Sequence, residues 1–276
     1  MMDNKAKAQK LKAEGNSYFS KGDYARAEGI YSEALIQDRQ LSSLYTNRAM
    51  CRFNLRAYDG VIADCDACLA IDPDSVKAHY FKSKALLEMG ADLDAACEWA
   101  LSAYKACQAL DSKSLQMTMT HLLRCRSERW KRRERARRRE AQDLEREVLE
   151  MLERARDREV DDAQGELERT VAREEGDKKM GLMRDIFERA RKEDDRKRDV
   201  PEWLVDDISF NVMVDPVMTP HNGRSYERAS IQAAINNNAI DPYTREPLSK
   251  GELVPNLRLR QACEWFLENN GWAYDW

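Results

Sequence analysis

A 34-residue spacing recurs along the first part of the chain. Small or aromatic residues mark the first copy, namely Gly15, Tyr18, Gly22, Tyr24, Ala27, Tyr31 and Ala34. The residues 34 places further on are Ala49, Arg52, Arg56, Tyr58, Val61, Cys65 and Cys68, followed by Ser83, Leu86, Gly90, Asp92, Ala95, Trp99 and Ser102. Small side chains let two helices cross closely, and one such unit cannot bury its apolar face without its neighbours. The spacing therefore predicts three stacked helix–turn–helix units.

These marks resemble the tetratricopeptide repeat (TPR), and we place a three-repeat TPR domain at residues 6–112. The repeat also bears on Cys65 and Cys68, which have the spacing of a metal-binding or redox pair. No second Cys or His pair lies near them, and both fall on helix-packing positions of the repeat. Helix packing is therefore favoured over a zinc or redox role.

Four polar residues fall on the first helices of the three repeats, namely Lys12, Asn16, Asn47 and Lys77. Two ammonium groups and two amides suit an anionic ligand such as the terminal carboxylate of a peptide. The set resembles the carboxylate clamp of chaperone-binding TPR domains, which grips the acidic C-terminal tail of the seventy- and ninety-kilodalton heat-shock chaperones. Phe81 stands where that pattern has a further basic residue, so one grip is missing or replaced by an apolar contact. The alternative is a set of ordinary polar residues on exposed helices.

A second segment, residues 113–198, is predicted to hold a capping helix and a charged helical hairpin. Apolar residues suited to covering the last repeat are Leu115, Met119, Leu122 and Leu123. Two sparse apolar seams follow, one of Leu144, Val148, Met151 and Ala155 and one of Met180, Met183, Phe187 and Ala190. Steps of three and four residues are typical of coiled coils. One narrow seam cannot stabilise a long hairpin in water, so we expect a homodimer joined through this segment.

Gly176 and Gly181 are expected to weaken the second helix of the hairpin. Residues 126–139 hold nine Lys or Arg residues and two acidic residues, a composition found in nucleic-acid-binding and nuclear-import segments. Acidic residues follow this run, and Trp130 is its single aromatic residue. We therefore favour a solvated helix face and expect no nucleic-acid partner.

The third segment, residues 199–276, returns to a globular composition. A turn at 221–226 ("HNGRSY") lies between short apolar runs, helices are predicted near 228–238 and 256–269, and "DPYTREPL" (241–248) is the loop between them. This order, with "ISFNVMVDPVMTP" before it and "LVPNLRLRQACEWF" in the last part, resembles the U-box, a metal-free relative of the RING fold. A RING needs about eight Cys or His ligands, whereas this segment offers Cys263 and His221. We therefore expect no metal.

Hydrogen bonds, ion pairs and a small core must then hold this domain together. Candidates for the polar contacts are Asp215, Arg224, Ser225, Asp241, Thr244 and Asn256. Candidates for the core are Ile208, Phe210, Val217, Tyr226, Ile231, Leu248, Leu257 and Phe266.

A U-box forms no covalent intermediate of its own, in keeping with the lack of an obvious nucleophile in this segment. The resemblance implies that it binds a ubiquitin-conjugating enzyme and holds the ubiquitin thioester in a reactive conformation. Carried over by motif, Ile208, Phe210 and Pro242 form the apolar docking surface, and Arg245 bridges the conjugating enzyme and ubiquitin. The alternatives are core packing for Ile208 and Phe210 and an ordinary surface position for Arg245.

The chain is thus expected to be mainly α, with a three-repeat TPR solenoid, a long helical hairpin and a small α+β U-box of RING-like fold. This order of domains resembles co-chaperone ubiquitin ligases, which ubiquitinate misfolded clients of chaperones and direct them to degradation. The alternative is a non-enzymatic TPR scaffold. No cofactor is expected. Seven cysteines without an export signal or an apolar run of membrane-spanning length indicate a cytoplasmic protein, with a nuclear location as a further option and no membrane contact.

Overall fold

A computed structural model of the chain describes residues 2–110, 114–194 and 199–275. The predicted domain boundaries at 112, 113 and 198, and the last residue, 276, lie outside the described residues. The chain forms two compact units. One consists of the described residues up to Trp130 together with Glu202 onward, and the other of Lys131–Pro201. The repeats and the C-terminal segment therefore belong to one unit.

Six helices form the repeats, as the spacing predicted. They are α1 (Met2–Ser20), α2 (Tyr24–Gln37), α3 (Ser42–Asn54), α4 (Tyr58–Leu69), α5 (Val76–Met89) and α6 (Leu93–Ala109). The turn inside each pair contains one residue with positive φ, and these residues are again 34 apart: Gly22 (79°), Arg56 (61°) and Gly90 (64°). Glycine adopts this left-handed conformation readily, whereas arginine does so at a conformational cost.

The third pair departs from the predicted register. In the first two pairs the buried positions of the second helix follow the repeat, for example Ala27 and Val61. In the third pair the buried residues are Ala96, Ala100 and Ala103, each one place after the predicted Ala95, Trp99 and Ser102. The cause is the turn: α2 and α4 begin two residues after the positive-φ residue, but α6 begins three residues after Gly90.

Cys65 and Cys68 are fully buried, which confirms their packing role. They belong to a cluster that also contains Ala49, Val61 and Ala78. All seven cysteines of the chain are buried and free of disulfide bonds. Burial raises the pKa of the thiols of Cys51 and Cys263 to about 12 and that of Cys125 to about 11.

The next helix, α7 (Leu115–Asp162), begins by covering the third repeat. Leu115, Met119 and Leu122 are buried, as expected of a capping helix. Beside them, the Nε2 atom of His121 lies 2.9 Å from the Ser83 hydroxyl, which donates to the Ala96 carbonyl. Burial lowers the pKa of His121 to about 4, so this polar contact between α5 and α7 is neutral near pH 7.

The second unit is a helical hairpin made by the later part of α7 and by α8 (Glu166–Asp194). The expected weakening at the glycines is wrong, because α8 runs unbroken through Gly176 and Gly181. A Cβ atom on Gly176 would lie 2.3 Å from Cγ of Arg156, so this glycine lets the two helices approach closely. Arg156 also forms an ion pair of 2.9 Å with Asp177.

The predicted seams divide into covered and uncovered residues. In the α8 seam Met180 is buried and Met183 and Phe187 are half-buried, so this seam serves the hairpin itself. Large apolar side chains that remain exposed are Leu144, Met151, Leu167, Val171, Leu182 and Ile186.

The C-terminal segment holds three short strands, β1 (Pro216–Met218), β2 (Ser225–Glu227) and β3 (Val254–Pro255), in an antiparallel sheet of order β2-β1-β3. Two helices, α9 (Arg228–Asn237) and α10 (Leu257–Asn269), lie close to their predicted ranges. The core consists of Val217, Tyr226, Ile231, Ile235, Leu248 and Leu253. Two predicted core residues are wrong: Phe210 is 71% exposed and Leu257 is 62% exposed. Leu257 is the first residue of α10 and does not belong to the core cluster.

Among the described residues, no helix is both long enough and apolar enough to span a membrane.

Candidate functional site

Three of the predicted clamp residues lie together in the repeats. Asn16 on α1 accepts a 3.1 Å hydrogen bond from the side-chain amide of Asn47 on α3. Lys12, one turn before Asn16, donates a 2.7 Å hydrogen bond to the hydroxyl of Ser43 on α3. An ammonium group has three hydrogens, so Lys12 can keep this contact and still donate to a ligand. Donors from two repeats therefore meet in one place.

The remaining clamp residues lie on α5, four residues apart and hence on one face. Lys77 is exposed and forms no ion pair with the described residues. Phe81 is half-buried, and its ring centre lies 6.0 Å from that of Phe53 on α3. The ammonium of Lys84 lies 4.4 Å from the centre of the Phe53 ring. Phe81 thus takes part in an apolar contact between first helices, and its predicted contact with a ligand stays a prediction.

Tyr31, which is not one of the predicted clamp residues, orients the side chain of Asn16. The hydroxyl of Tyr31 donates a 2.7 Å hydrogen bond to the same Asn16 oxygen that accepts from Asn47. Burial raises the pKa of Tyr31 to about 12, so its hydroxyl stays protonated. The ring can reach α1 because residue 15 is glycine, where a Cβ atom would lie only 2.6 Å from the ring. The repeat pattern identified both residues as packing marks and gave no sign of this second role.

The predicted docking residues lie on two turns of the same construction. We call residues 206–211 the first turn and residues 241–246 the second turn. In the first, the Phe210 amide donates to the Asp206 carbonyl at 2.9 Å; in the second, the Arg245 amide donates to the Asp241 carbonyl, also at 2.9 Å. Antiparallel bridges flank both turns, Val205 with Val212 and Ile240 with Pro247. Sequence reasoning did not find this internal likeness.

A buried aspartate holds each turn from inside. A side-chain oxygen of Asp206 accepts hydrogen bonds from the amide and the hydroxyl of Ser209, at 2.8 and 2.7 Å. Asp241 accepts from the amides of Tyr243 and Thr244, at 2.7 and 3.0 Å. These bonds fix the backbone of both turns through side chains of the turns themselves. Asp241 was a predicted polar contact, whereas Asp206 was not.

The fifth residue of each turn has a left-handed backbone and an exposed side chain. These residues are Phe210 (φ 58°) and Arg245 (φ 62°), and outside the repeats they are the non-glycine residues of the described chain with positive φ. Such a conformation costs about 1–2 kcal/mol for a residue with a side chain, and it persists where the surrounding bonds enforce it. Pro242 is exposed as well, whereas Ile208 is half-buried against the core. Phe210, Pro242 and Arg245 are thus displayed outward, and Ile208 is shared with the core.

Arg224, a predicted polar contact, joins the two turns. Its guanidinium forms a 2.8 Å ion pair with Asp207 of the first turn. The same group lies 3.9 Å from the ring centre of Tyr243 in the second turn. The first turn and the second turn, which carry the predicted docking residues, are therefore connected through the Arg224 side chain.

Asp215 is the centre of a buried ion-pair network. It accepts a 2.7 Å hydrogen bond from Arg228 on α9 and pairs with Arg260 on α10. The hydroxyl of Tyr104 and the amide of Gln108, both on α6, also donate to it at 3.2 and 3.0 Å. The last repeat is thus hydrogen-bonded to the C-terminal segment. Asp215 was predicted as a polar contact, but its four partners were not, since three are far from it in sequence.

Comparisons with known proteins agree with this architecture. A family model for the U-box domain matches residues 200–272. The E3 ubiquitin-protein ligase CHIP of Arabidopsis thaliana is 28% identical over 281 residues, covering 98% of this chain and 96% of that protein. The Hsp70/Hsp90 co-chaperone CNS1 of Saccharomyces cerevisiae is 32% identical over 152 residues, covering 53% of this chain and 38% of that protein.

Among solved structures, the chain is similar to the TPR2B domain of yeast Sti1, determined as an Hsp70 complex. The two are 25% identical, with a TM-score of 0.42, and the match covers 44% of this chain and 96% of that one. The chain thus contains a U-box domain at 200–272 that follows six helices paired as in tetratricopeptide repeats, and over nearly its full length it is similar to a CHIP-type protein.

Proposed function

We propose that the chain is a chaperone-associated ubiquitin ligase. The observation that carries the proposal is the pair of matched turns, which display Phe210, Pro242 and Arg245 on one domain while the clamp residues lie on another. A ligase that joins two partners needs two such surfaces. A non-enzymatic scaffold would not require a strained Arg245 held outward.

The U-box would act by orientation. Phe210 and Pro242, with the exposed part of Ile208, would dock a ubiquitin-conjugating enzyme through apolar contact. Arg245 would hydrogen-bond to the enzyme and its bound ubiquitin, so that the thioester stays in a geometry that a lysine amine can attack. The nucleophile is the client lysine, and the thiol of the conjugating enzyme is the leaving group. No group of this chain is acylated.

The repeats would bind a chaperone through its acidic C-terminal tail. Lys12 and Lys77 supply positive charge to the terminal carboxylate, and Asn16 and Asn47 supply amide donors. Phe81 would contact an apolar residue of the tail. Misfolded clients held by the chaperone are then brought near the charged conjugating enzyme, in the cytoplasm.

We further propose that the chain divides into a TPR domain at 6–112, a helical segment at 113–198 and a U-box at 199–276. Two copies of the chain are joined through the helical segment. The uncovered apolar residues of the hairpin, Leu144, Met151, Leu182 and Ile186, support this. Sedimentation at micromolar concentration should then report twice 32.0 kDa. A dimer that persists after Leu144 and Ile186 are both replaced by Gln would contradict this interface.

The function is tested by reconstitution. Purified protein is mixed with activating enzyme, conjugating enzyme, ubiquitin, ATP, and a chaperone with a bound client, and ubiquitin conjugates are scored. We expect conjugates on the client that disappear when the chaperone tail is removed. Chaperone binding without any conjugates, across a panel of conjugating enzymes, would favour the scaffold instead.

A further inference from the structure

A cavity of about 340 Å³ lies between the first part of α7 and the U-box, inside the first compact unit. This volume falls at the lower end of the range of small-molecule pockets, about 300–1,000 Å³. Its apolar walls come from Met119 and Leu123 of α7, from Val212, and from Tyr274 near the chain end. The rest of the lining is polar or charged, and Glu227 and Ser230 are the two members that matter most here: Gln116, Thr120, Arg124, Ser127, Glu128, Ser209, Asn211, Glu227 and Ser230.

The side chains of Glu227 and Ser230 are buried and incompletely bonded. Glu227 is 4% exposed and Ser230 is 5% exposed. One carboxylate oxygen of Glu227 accepts from the amides of Val214 and Asp215, at 2.7 and 2.9 Å. The other oxygen, and the hydroxyl of Ser230, have no hydrogen-bond partner among the described residues. A buried polar group left unpaired costs about 1–3 kcal/mol, so both atoms favour a ligand that bonds to them.

The local charge favours a cationic ligand. Asp206 and Asp215 lie near Glu227, and Asp215 is already neutralised by Arg228 and Arg260. The second oxygen of Glu227 has no basic residue bonded to it within the described residues. Arg124 lines the cavity, but its guanidinium is paired with Glu88 at 3.0 Å. A positive group beside Glu227 would therefore gain attraction without displacing an existing partner.

We propose that this cavity binds a small primary amine with an apolar body. Its ammonium group donates to the unpaired oxygen of Glu227 and to the Ser230 hydroxyl, and its apolar part packs on Met119, Leu123, Val212 and Tyr274. Because the walls come from α7 and the U-box, the occupant bridges the capping helix and the ligase domain. The cavity lies apart from the clamp but borders the first turn through Ser209 and Asn211, and amine binding there does not depend on ligase activity.

Phenethylamine is a suitable probe, and 2-phenylethanol is its neutral counterpart of the same shape. The full chain, labelled with ¹³C at methionine methyl groups, is titrated with each compound and the Met119 resonance is followed by NMR. We expect a saturable shift with the amine and at least tenfold weaker binding of the alcohol. Equal binding of the two compounds, or no saturable shift with the amine, would overturn the proposal.

Variants locate the site. Glu227→Gln keeps an oxygen for the two backbone amides but places an amide hydrogen where the ammonium should bind, so amine affinity should fall at least tenfold. Glu128→Gln removes a different acid from the same wall and should change affinity less than twofold. Leu123→Trp, which fills the cavity from a half-buried position, should abolish the shift while the circular dichroism spectrum is kept. Equal loss in the two acid variants would mean general charge attraction and would reject the site.

A pH series gives an independent readout. Burial, opposed by the two backbone hydrogen bonds, raises the pKa of Glu227 to about 7, so binding of an ammonium should release a proton and strengthen from pH 6 to 8. Several charged or titratable groups face Glu227 from the elements packed against it. They are Tyr104 of α6, Arg124 and Glu128 of α7, Cys263 of α10, and Asp206 and Asp215, which precede β1. Glu227→Gln should remove the pH dependence. A dependence that survives in this variant would assign the proton to another of these groups and contradict the proposal.

Discussion

The guanidinium of Arg224 lies 3.9 Å from the centre of the exposed Tyr243 ring. Because Arg224 is also paired with Asp207, this contact fixes the spacing of the two turns that display the proposed docking residues. Arg224→Ala should therefore weaken binding of the conjugating enzyme severalfold, although Arg224 is not itself a docking residue. Arg224→Lys keeps the charge but loses the flat stacking surface, so its affinity for the conjugating enzyme should lie between those of the wild type and Arg224→Ala. Isothermal titration checks this, and wild-type affinity in Arg224→Ala would show that the turns hold their spacing without it.

Substitutions at Ile208 and at Arg245 should impair different steps, binding of the conjugating enzyme in the first case and discharge of ubiquitin in the second. Ile208→Ala removes apolar contact and should weaken binding of the conjugating enzyme by about 1–3 kcal/mol. Arg245→Ala should leave much of that binding in place but slow the discharge of ubiquitin to free lysine, because a contact made in the reactive geometry is lost. Single-turnover discharge at saturating ligase separates the two effects. A wild-type rate for Arg245→Ala under saturation would reduce Arg245 to a surface charge.

Tyr31→Phe should weaken chaperone-peptide binding without unfolding the repeats. The variant keeps the ring against Gly15 but loses the hydroxyl that orients Asn16, which should cost about 0.5–1.5 kcal/mol of affinity, or roughly two- to tenfold. The control is Tyr24→Phe, which removes a hydroxyl from the start of α2. Fluorescence anisotropy with an acidic C-terminal peptide measures both, and equal affinities in the two variants would remove the positioning role of Tyr31.

Arg56→Gly should stabilise the repeats. Arg56 has a φ of 61° at the turn position where the other two repeats carry glycine. Relief of this strain should raise the free energy of unfolding by about 1 kcal/mol. Arg56→Ala keeps the strained backbone and should lie within about 0.5 kcal/mol of the wild type. Urea unfolding followed by circular dichroism distinguishes them, and a gain in the alanine variant equal to that in the glycine variant would exclude backbone strain as the cause.

Two buried groups should give stability profiles of opposite slope. Burial lowers the pKa of His121 to about 4 from 6.5, so the free energy of unfolding rises with pH between these values as the unfolded chain loses its extra proton. Burial raises the pKa of Glu227 to about 7 from 4.5, so its contribution is full below pH 4.5 and is lost as pH rises through 7. In the wild type the two slopes oppose each other where the windows overlap.

Substitution of either Glu227 or His121 should leave a pH dependence of stability that comes from the other residue. Glu227→Gln should make the free energy of unfolding rise more steeply from pH 4.5 to 6.5 than in the wild type, and His121→Gln should make it fall. Chemical unfolding at a series of pH values measures both slopes. Three parallel profiles would mean that neither group controls stability in this range.

Helix number and pairing in the repeats followed from the sequence because the packing positions recur at a fixed interval. The shifted register of α6 did not, since it arises from one additional residue between Gly90 and the start of that helix. In the hairpin, glycine was expected to weaken α8, but close packing of Gly176 on Arg156 outweighs its low helix propensity. Propensity is local, and this contact joins residues 20 positions apart.

The candidate site was predictable to a similar extent. The proposed docking residues were assigned by motif, which stays a prediction, but the matched hydrogen bonding of the two turns could not be predicted, since the residue types differ at most positions of "DDISFN" and "DPYTRE". The network around Asp215 joins residues on α6, α9 and α10, and no local pattern pairs residue 104 with residue 215. Phe210 was assigned to both the core and the surface, and its positive φ turns it outward.

The burial of every cysteine has a consequence for the chemistry proposed here. A ubiquitin thioester exchanges with any accessible thiolate, so a reactive cysteine on the ligase would divert ubiquitin by transthiolation before a lysine could attack. In this chain all seven thiols are enclosed, and burial raises the pKa of those at Cys51, Cys125 and Cys263 far above neutrality. The activated ubiquitin then has one productive acceptor class, the amines of the client.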